Sequence, residues 1–87
     1  MSGSKIVTGV NGSSWVELSA EAKGCIENQC GRPLLLWVSA TQPADSLTKG
    51  HNLGHTEETG FEIDVSVSMK VWGRTLSGGG DVMVTEF

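Results

Sequence analysis

Eighty-seven residues make one small domain. With 38% hydrophobic and 18% charged side chains, the composition excludes a disordered chain. Ten acidic against six basic residues leave a formal charge of −4, which argues against nucleic acid or an anionic membrane as partner, because phosphate binding needs clustered Lys and Arg. No run approaches the ~18 consecutive apolar residues of a membrane helix. Met1-Ser2-Gly3-Ser4 has no hydrophobic signal core.

In chain order, residues 1–14 read as an N-terminal arm or first strand, and 15–87 as a single domain. Lys5–Val10 and Trp15–Leu18 are short apolar-rich strands, separated by the turn cluster Asn11-Gly12-Ser13-Ser14. Ser19-Ala20-Glu21-Ala22 reads as one helical turn or none, and Gly24–Asn28 as a further strand. Leu34-Leu35-Leu36-Trp37-Val38 is apolar without alternation and too short for a helix between Pro33 and Ser39. A strand there sends Leu34, Leu36 and Val38 inward and leaves Leu35 and Trp37 on the opposite face. Those two side chains want cover from a neighbour, so they point to an interface.

The stretch 39–60 is poor in apolar residues, chiefly Leu47 and Leu53, and reads as a loop with a short strand at Asn52-Leu53. At about 22 residues it exceeds the ~12–15 beyond which loops are functional or ordered by something else. Phe61, Ile63, Val65, Val67, Met69 and Val71 then alternate with Glu62, Asp64, Ser66, Ser68 and Lys70. Period two means a sheet with one wet face. Eleven residues would span roughly 37 Å, so a break is expected near Ser66 to Ser68.

Trp72 falls in the polar phase of this run, and Arg74 lies on the same side. Trp and Arg are enriched in interface hot spots. That face is expected to be covered by another chain or by the N-terminal segment, unless the break resets the phase and makes Trp72 core. Gly78-Gly79-Gly80 permits a hairpin that pairs Thr75–Leu76 with Val82–Val84, and Asp81–Phe87 closes the chain as a strand. About seven short strands give an all-β fold, a small antiparallel β-sandwich of jelly-roll type. Strand spacing leaves jelly-roll and immunoglobulin-like orders both open.

Chemistry is sparse. Cys25 and Cys30, five apart, point to opposite faces of a strand, which opposes a disulfide and favours free thiols. His51 and His55, with Glu57 and Glu58 nearby, are the nearest approach to a metal site. The surrounding glycines oppose a helix, and two solvated loop histidines beside an acidic pair are the plainer reading. No metal or other cofactor is expected. Asp45, Asp64 and Asp81 are scattered, and no acid and base are paired at a useful spacing, so no catalytic residue and no enzyme is expected. Asn11-Gly12-Ser13 fits the glycosylation tripeptide but reads as a turn.

The order of elements resembles the small virion proteins of tailed bacteriophages, the head decoration, cement or minor structural proteins. The resemblance covers residues 15–87. It runs through Trp15-Val16-Glu17-Leu18, Cys25-Ile26-Glu27-Asn28-Gln29 and Leu34 to Val38, then Gln42-Pro43-Ala44 and Gly50-His51-Asn52-Leu53. It ends with Val71-Trp72-Gly73-Arg74 and Val82-Met83-Val84-Thr85-Glu86. Trp72-Gly73 departs from the Tyr-Ala pair often found in such proteins. The resemblance implies a β-sandwich made in the host cytoplasm that binds the major capsid protein on the outer virion surface. It also implies a homo-oligomer, a trimer rather than a dimer. Interface candidates are Trp37, Leu35, Trp72, Arg74, Ile6 and Val7, the last two as an apolar N-terminal arm that adds to a neighbour's sheet edge. The alternatives are a tail-fibre or adhesin module stacking Trp37 or Trp72 on host glycan, and a binding module whose 39–60 loop grips a metal or ligand.

Overall fold

The computed structural model describes residues 3–54, 60–65, 68–76 and 78–86. Among these residues eight strands follow in order: β1 (Gly3–Val10), β2 (Val16–Ser19), β3 (Lys23–Gln29), β4 (Leu34–Ser39), β5 (His51–Leu53), β6 (Gly60–Asp64), β7 (Lys70–Arg74) and β8 (Gly80–Glu86). They form two four-stranded antiparallel sheets, β1-β8-β3-β6 and β2-β7-β4-β5. Every connection except β4–β5 crosses from one sheet to the other, and the two strand orders interleave as in an eight-stranded jelly roll. The sandwich expected from the sequence is the fold, with eight strands where about seven are expected.

The alternating residues fill the space between the sheets. Ile26 and Ile63 come from one sheet with Val82 and Val84; Leu18, Leu34, Leu36 and Val71 face them from the other. In β3 the alternation is complete, with Gly24, Ile26 and Asn28 buried and Lys23, Cys25, Glu27 and Gln29 exposed. The run is broken on either side of the stretch Ser66 to Ser68 where a break is expected: β6 ends at Asp64 and β7 begins at Lys70 in the opposite sheet. Ser66 and Val67 lie outside the described residues. Residues 20–22 contain no helical turn.

One expectation is corrected. Thr75–Leu76 and Val82–Val84 do not pair as a hairpin, because β7 lies between β2 and β4 while β8 lies between β1 and β3. The glycines carry the chain across the sandwich instead. Gly78 takes φ +69°, a left-handed conformation suited to glycine, and its carbonyl accepts a bond from Thr75 Oγ1 at 2.7 Å. The Thr75 amide meanwhile donates to the Asn11 carbonyl at 3.0 Å, tying this crossing to the β1–β2 turn. That turn is closed by the Asn11 Oδ1, which accepts from the amides of Ser13 and Ser14 at 2.8 and 2.9 Å.

Candidate functional site

The second core of the molecule lies on the outer face of the β2-β7-β4-β5 sheet. Register sets it: Leu35 opposite Arg74 and Trp37 opposite Trp72 share one face, while Leu36 and Val38 point inward with Gly73 and Val71. Gly73 is the reason the inner face closes, since a Cβ there would come within 2.6 Å of Leu18 Cδ1. Trp15, just before β2, joins Leu35 and Trp72 in a buried cluster, and Leu47 packs on it from the β4–β5 loop.

Hydrogen bonds seat that loop. Trp15 Nε1 donates to the Leu47 carbonyl at 2.9 Å, Trp72 Nε1 to the Ser39 carbonyl at 3.1 Å, and Gln42 Nε2 to the Trp15 carbonyl at 2.7 Å. Arg74 is only 3% exposed. Its Nη1 donates to the carbonyls of Asp45 and Leu47 at 2.7 and 3.2 Å, its Nε to Thr75 at 3.3 Å, and its Nη2 to Gly12. A desolvated guanidinium needs such partners, and here backbone carbonyl dipoles supply them.

The sequence therefore asks the right question of Leu35, Trp72 and Arg74, namely what covers them. The cover comes from the chain's own 40–50 loop and Trp15, where a second chain or the N-terminal segment is expected. These three residues are core in the single chain. Trp37 differs: at the rim of the cluster it is 36% exposed, with its ring centroid 6.4 Å from that of Trp15 at an interplanar angle of 55°. Ile6 is 61% exposed and Val7 half-buried, both on β1, which pairs with its own β8 and forms an edge of its sheet. Leu76, in the crossing between the sheets, is a further large exposed apolar side chain that the sequence does not single out.

His51 is exposed on β5, opposite Leu36; His55, Glu57 and Glu58 lie outside the described residues. Among the described residues no group of three His, Cys, Asp or Glu side chains is placed to hold a metal ion. Cys25 and Cys30 are free thiols on opposite faces, Cys25 exposed and Cys30 buried. The Cys30 Sγ lies 3.3 Å from the Asp81 carbonyl. Burial first, and then the Asp81 carboxylate, push its pKa up, while Arg32 opposes them.

Asn28 is the other buried polar group with a large role, and sequence alone gives no reason to single it out for burial. Its Nδ2 faces the carbonyls of Arg32, Leu53 and Gly54 at 2.8–3.1 Å, and its Oδ1 accepts from the Cys30 amide at 2.9 Å. One side chain thus links β3, the β3–β4 turn and β5 across the two sheets. Comparison with protein-family models, with curated proteins and with solved structures finds no match.

Proposed function

We propose that this chain is a non-enzymatic virion structural protein of a tailed bacteriophage, which docks on the assembled outer capsid surface as a decoration or cement protein. The observation that carries this reading is the contrast between the buried polar groups and the exposed apolar ones. Ser19, Asn28, Arg74 and Thr75 are buried and bond to the chain itself. Trp37, Ile6 and Leu76 keep large apolar surface in water. A rigid sandwich with outward aromatic and aliphatic anchors suits binding by shape. Many identical copies on one lattice gain from avidity, so each contact needs only modest affinity. The order of elements resembling small phage virion proteins directs the reading to the capsid.

Co-sedimentation with expanded, DNA-free capsids of the encoding phage tests it. Saturation at a fixed number of copies per shell, weakened at least tenfold by Trp37→Ala, is the expected result. A chain that stays in the supernatant at every capsid concentration overturns the proposal.

Exposure of the Trp37 ring supports the second reading, a tail-fibre or adhesin module that stacks this indole on host glycan. Binding on a glycan array, lost in Trp37→Ala, would select it.

A further inference from the structure

Among the described residues four strands lie at sheet edges, and three are poor templates for a further strand. β2 is four residues long with a register shift, β5 is three residues long, and β6 presents exposed Glu62 and Asp64. β1 is eight residues long and, among the described residues, bonds as a strand to β8 alone. Its register with β8 runs without a shift from Gly3 to Val7 and shifts between Val7 and Val10. A lysine often guards such an edge. Here the Lys5 ammonium is drawn to the Glu86 carboxylate of the same chain at 3.4 Å.

The facing of each β1 side chain follows from its partner on β8. Lys5 and Val7 lie opposite the buried Val84 and Val82, so they share the inner face. Ser4 and Ile6 lie opposite Thr85 and Met83 on the outer face, and the Ser4 and Thr85 hydroxyls touch at 2.8 Å. A strand that pairs with its own copy must be compatible with itself read backwards. Around Ile6 it is: Ile6 meets Ile6, Lys5 meets Val7, and Ser4 meets Thr8. Aliphatic and hydroxyl pairs of this kind stabilise antiparallel strands, whereas centring on Lys5 would set cation against cation. Ile6 is the large apolar side chain that this segment leaves exposed, at 61%. Centring on it joins Ile6 and Met83 with their copies in one apolar patch on the outer face.

We propose that the free edge of β1 pairs antiparallel with β1 of a second copy about a two-fold axis at Ile6, making one sheet of eight strands across the dimer. Such an isologous contact closes on itself and makes a dimer, where the resemblance implies a trimer. The pairing stands whether or not the virion reading does.

Register-specific crosslinking of the full chain in a Cys25→Ser background tests it. Under mild oxidation Ile6→Cys should crosslink to twice the 9.2 kDa chain mass. Ser4→Cys and Thr8→Cys should each stay single alone and crosslink when mixed. Light scattering should give a dimer for the unsubstituted chain and a single-chain mass for Ile6→Lys, with the same melting temperature extrapolated to low concentration. A single-chain mass for the unsubstituted protein at its highest soluble concentration overturns the proposal. So does equal crosslinking at positions 4, 6 and 8, or an Ile6→Cys chain that forms no disulfide. The crosslinking arm decides even where Ile6→Lys fails to fold.

Discussion

Arg74 and Trp15 converge on one carbonyl. The guanidinium carbon of Arg74 lies 5.8 Å from the centroid of the Trp15 ring, and both side chains donate to the Leu47 oxygen. A cation over an indole face is attracted by the ring quadrupole, more so when water is excluded. The relationship fixes the β4–β5 loop as a lid on the outer sheet face. It also explains why a long segment poor in apolar residues is ordered: Leu47 supplies its apolar anchor, and its carbonyls satisfy a buried charge.

Replacing Arg74 should therefore release the loop as well as destabilise the fold. Arg74→Met keeps the stem but removes the donor that faces the carbonyls of Gly12, Asp45 and Thr75, while the Leu47 oxygen keeps its bond from Trp15. Each buried polar group left unpaired costs about 1–3 kcal/mol, and partial access of water to the loop limits the total to about 3 kcal/mol. Arg74→Lys should recover less than half, because a single ammonium cannot reproduce the planar fork. Urea unfolding gives the free energies. Hydrogen exchange at the Leu47 amide, bonded to Ala44 at 3.0 Å, should accelerate in the native state. Unchanged exchange there would show that the lid is held without Arg74.

Gly73 makes a packing prediction. Its missing side chain leaves room for Leu18, so Gly73→Ala should cost about 1–3 kcal/mol by overpacking. Leu18→Ala alone should cost about 2–5 kcal/mol through the cavity it opens. The double variant should lose less than the sum of the two, since the new methyl partly fills the space vacated by Leu18. Strict additivity in thermal or urea unfolding would contradict this account of the contact.

The contrast between Gly73 and Trp72 shows what is legible in the sequence. Period-two alternation through residues 61–71 places Ile63 and Val71 inward correctly, even though they belong to different sheets. Continued by one residue it places Trp72 on the outer face, as a strand through Leu34–Val38 places Leu35. What covers them is not legible, because Trp15 and Leu47 meet that face from positions far apart in sequence. Pairing of Thr75–Leu76 with Val82–Val84 fails for a related reason. A glycine run permits a hairpin, but whether the chain turns back or crosses the sandwich depends on which edge remains for β8. The Asn28 network is set the same way, by carbonyls that the β3–β4 turn and β5 bring to it from outside its own strand.

Asn28→Asp should separate geometry from chemistry. The substituted side chain has nearly the same shape but replaces the Nδ2 donor, which faces three carbonyls, with an acceptor. Stranding that many acceptors, with a carboxylate among them, should cost about 3–5 kcal/mol near neutral pH. Protonation restores one donor, so stability relative to the unsubstituted chain should recover as pH falls through the raised pKa expected of a buried acid. Asn28→Ala should be destabilised without that pH dependence. Equal pH profiles for the two variants would show that the three carbonyls do not confront the side chain.

The two thiols should differ in reactivity and in linkage to folding. At about pH 8 a thiol-specific disulfide reagent should modify Cys25 rapidly in the native protein and Cys30 only on unfolding, because the thiolate is the nucleophile and burial disfavours it. The sign of the pH effect follows from the raised folded-state value. As pH rises past the ordinary thiol range, about 8.5, the unfolded chain ionises at Cys30 before the folded chain does. The unfolded state then binds fewer protons, so this group's contribution to stability falls until the folded-state value is also passed. Cys30→Ala lowers stability at neutral pH but removes that dependence on pH. The difference in melting temperature between the unsubstituted chain and Cys30→Ala should therefore narrow from about pH 7.5 to 10. A constant difference across that range would place the Cys30 thiol in water.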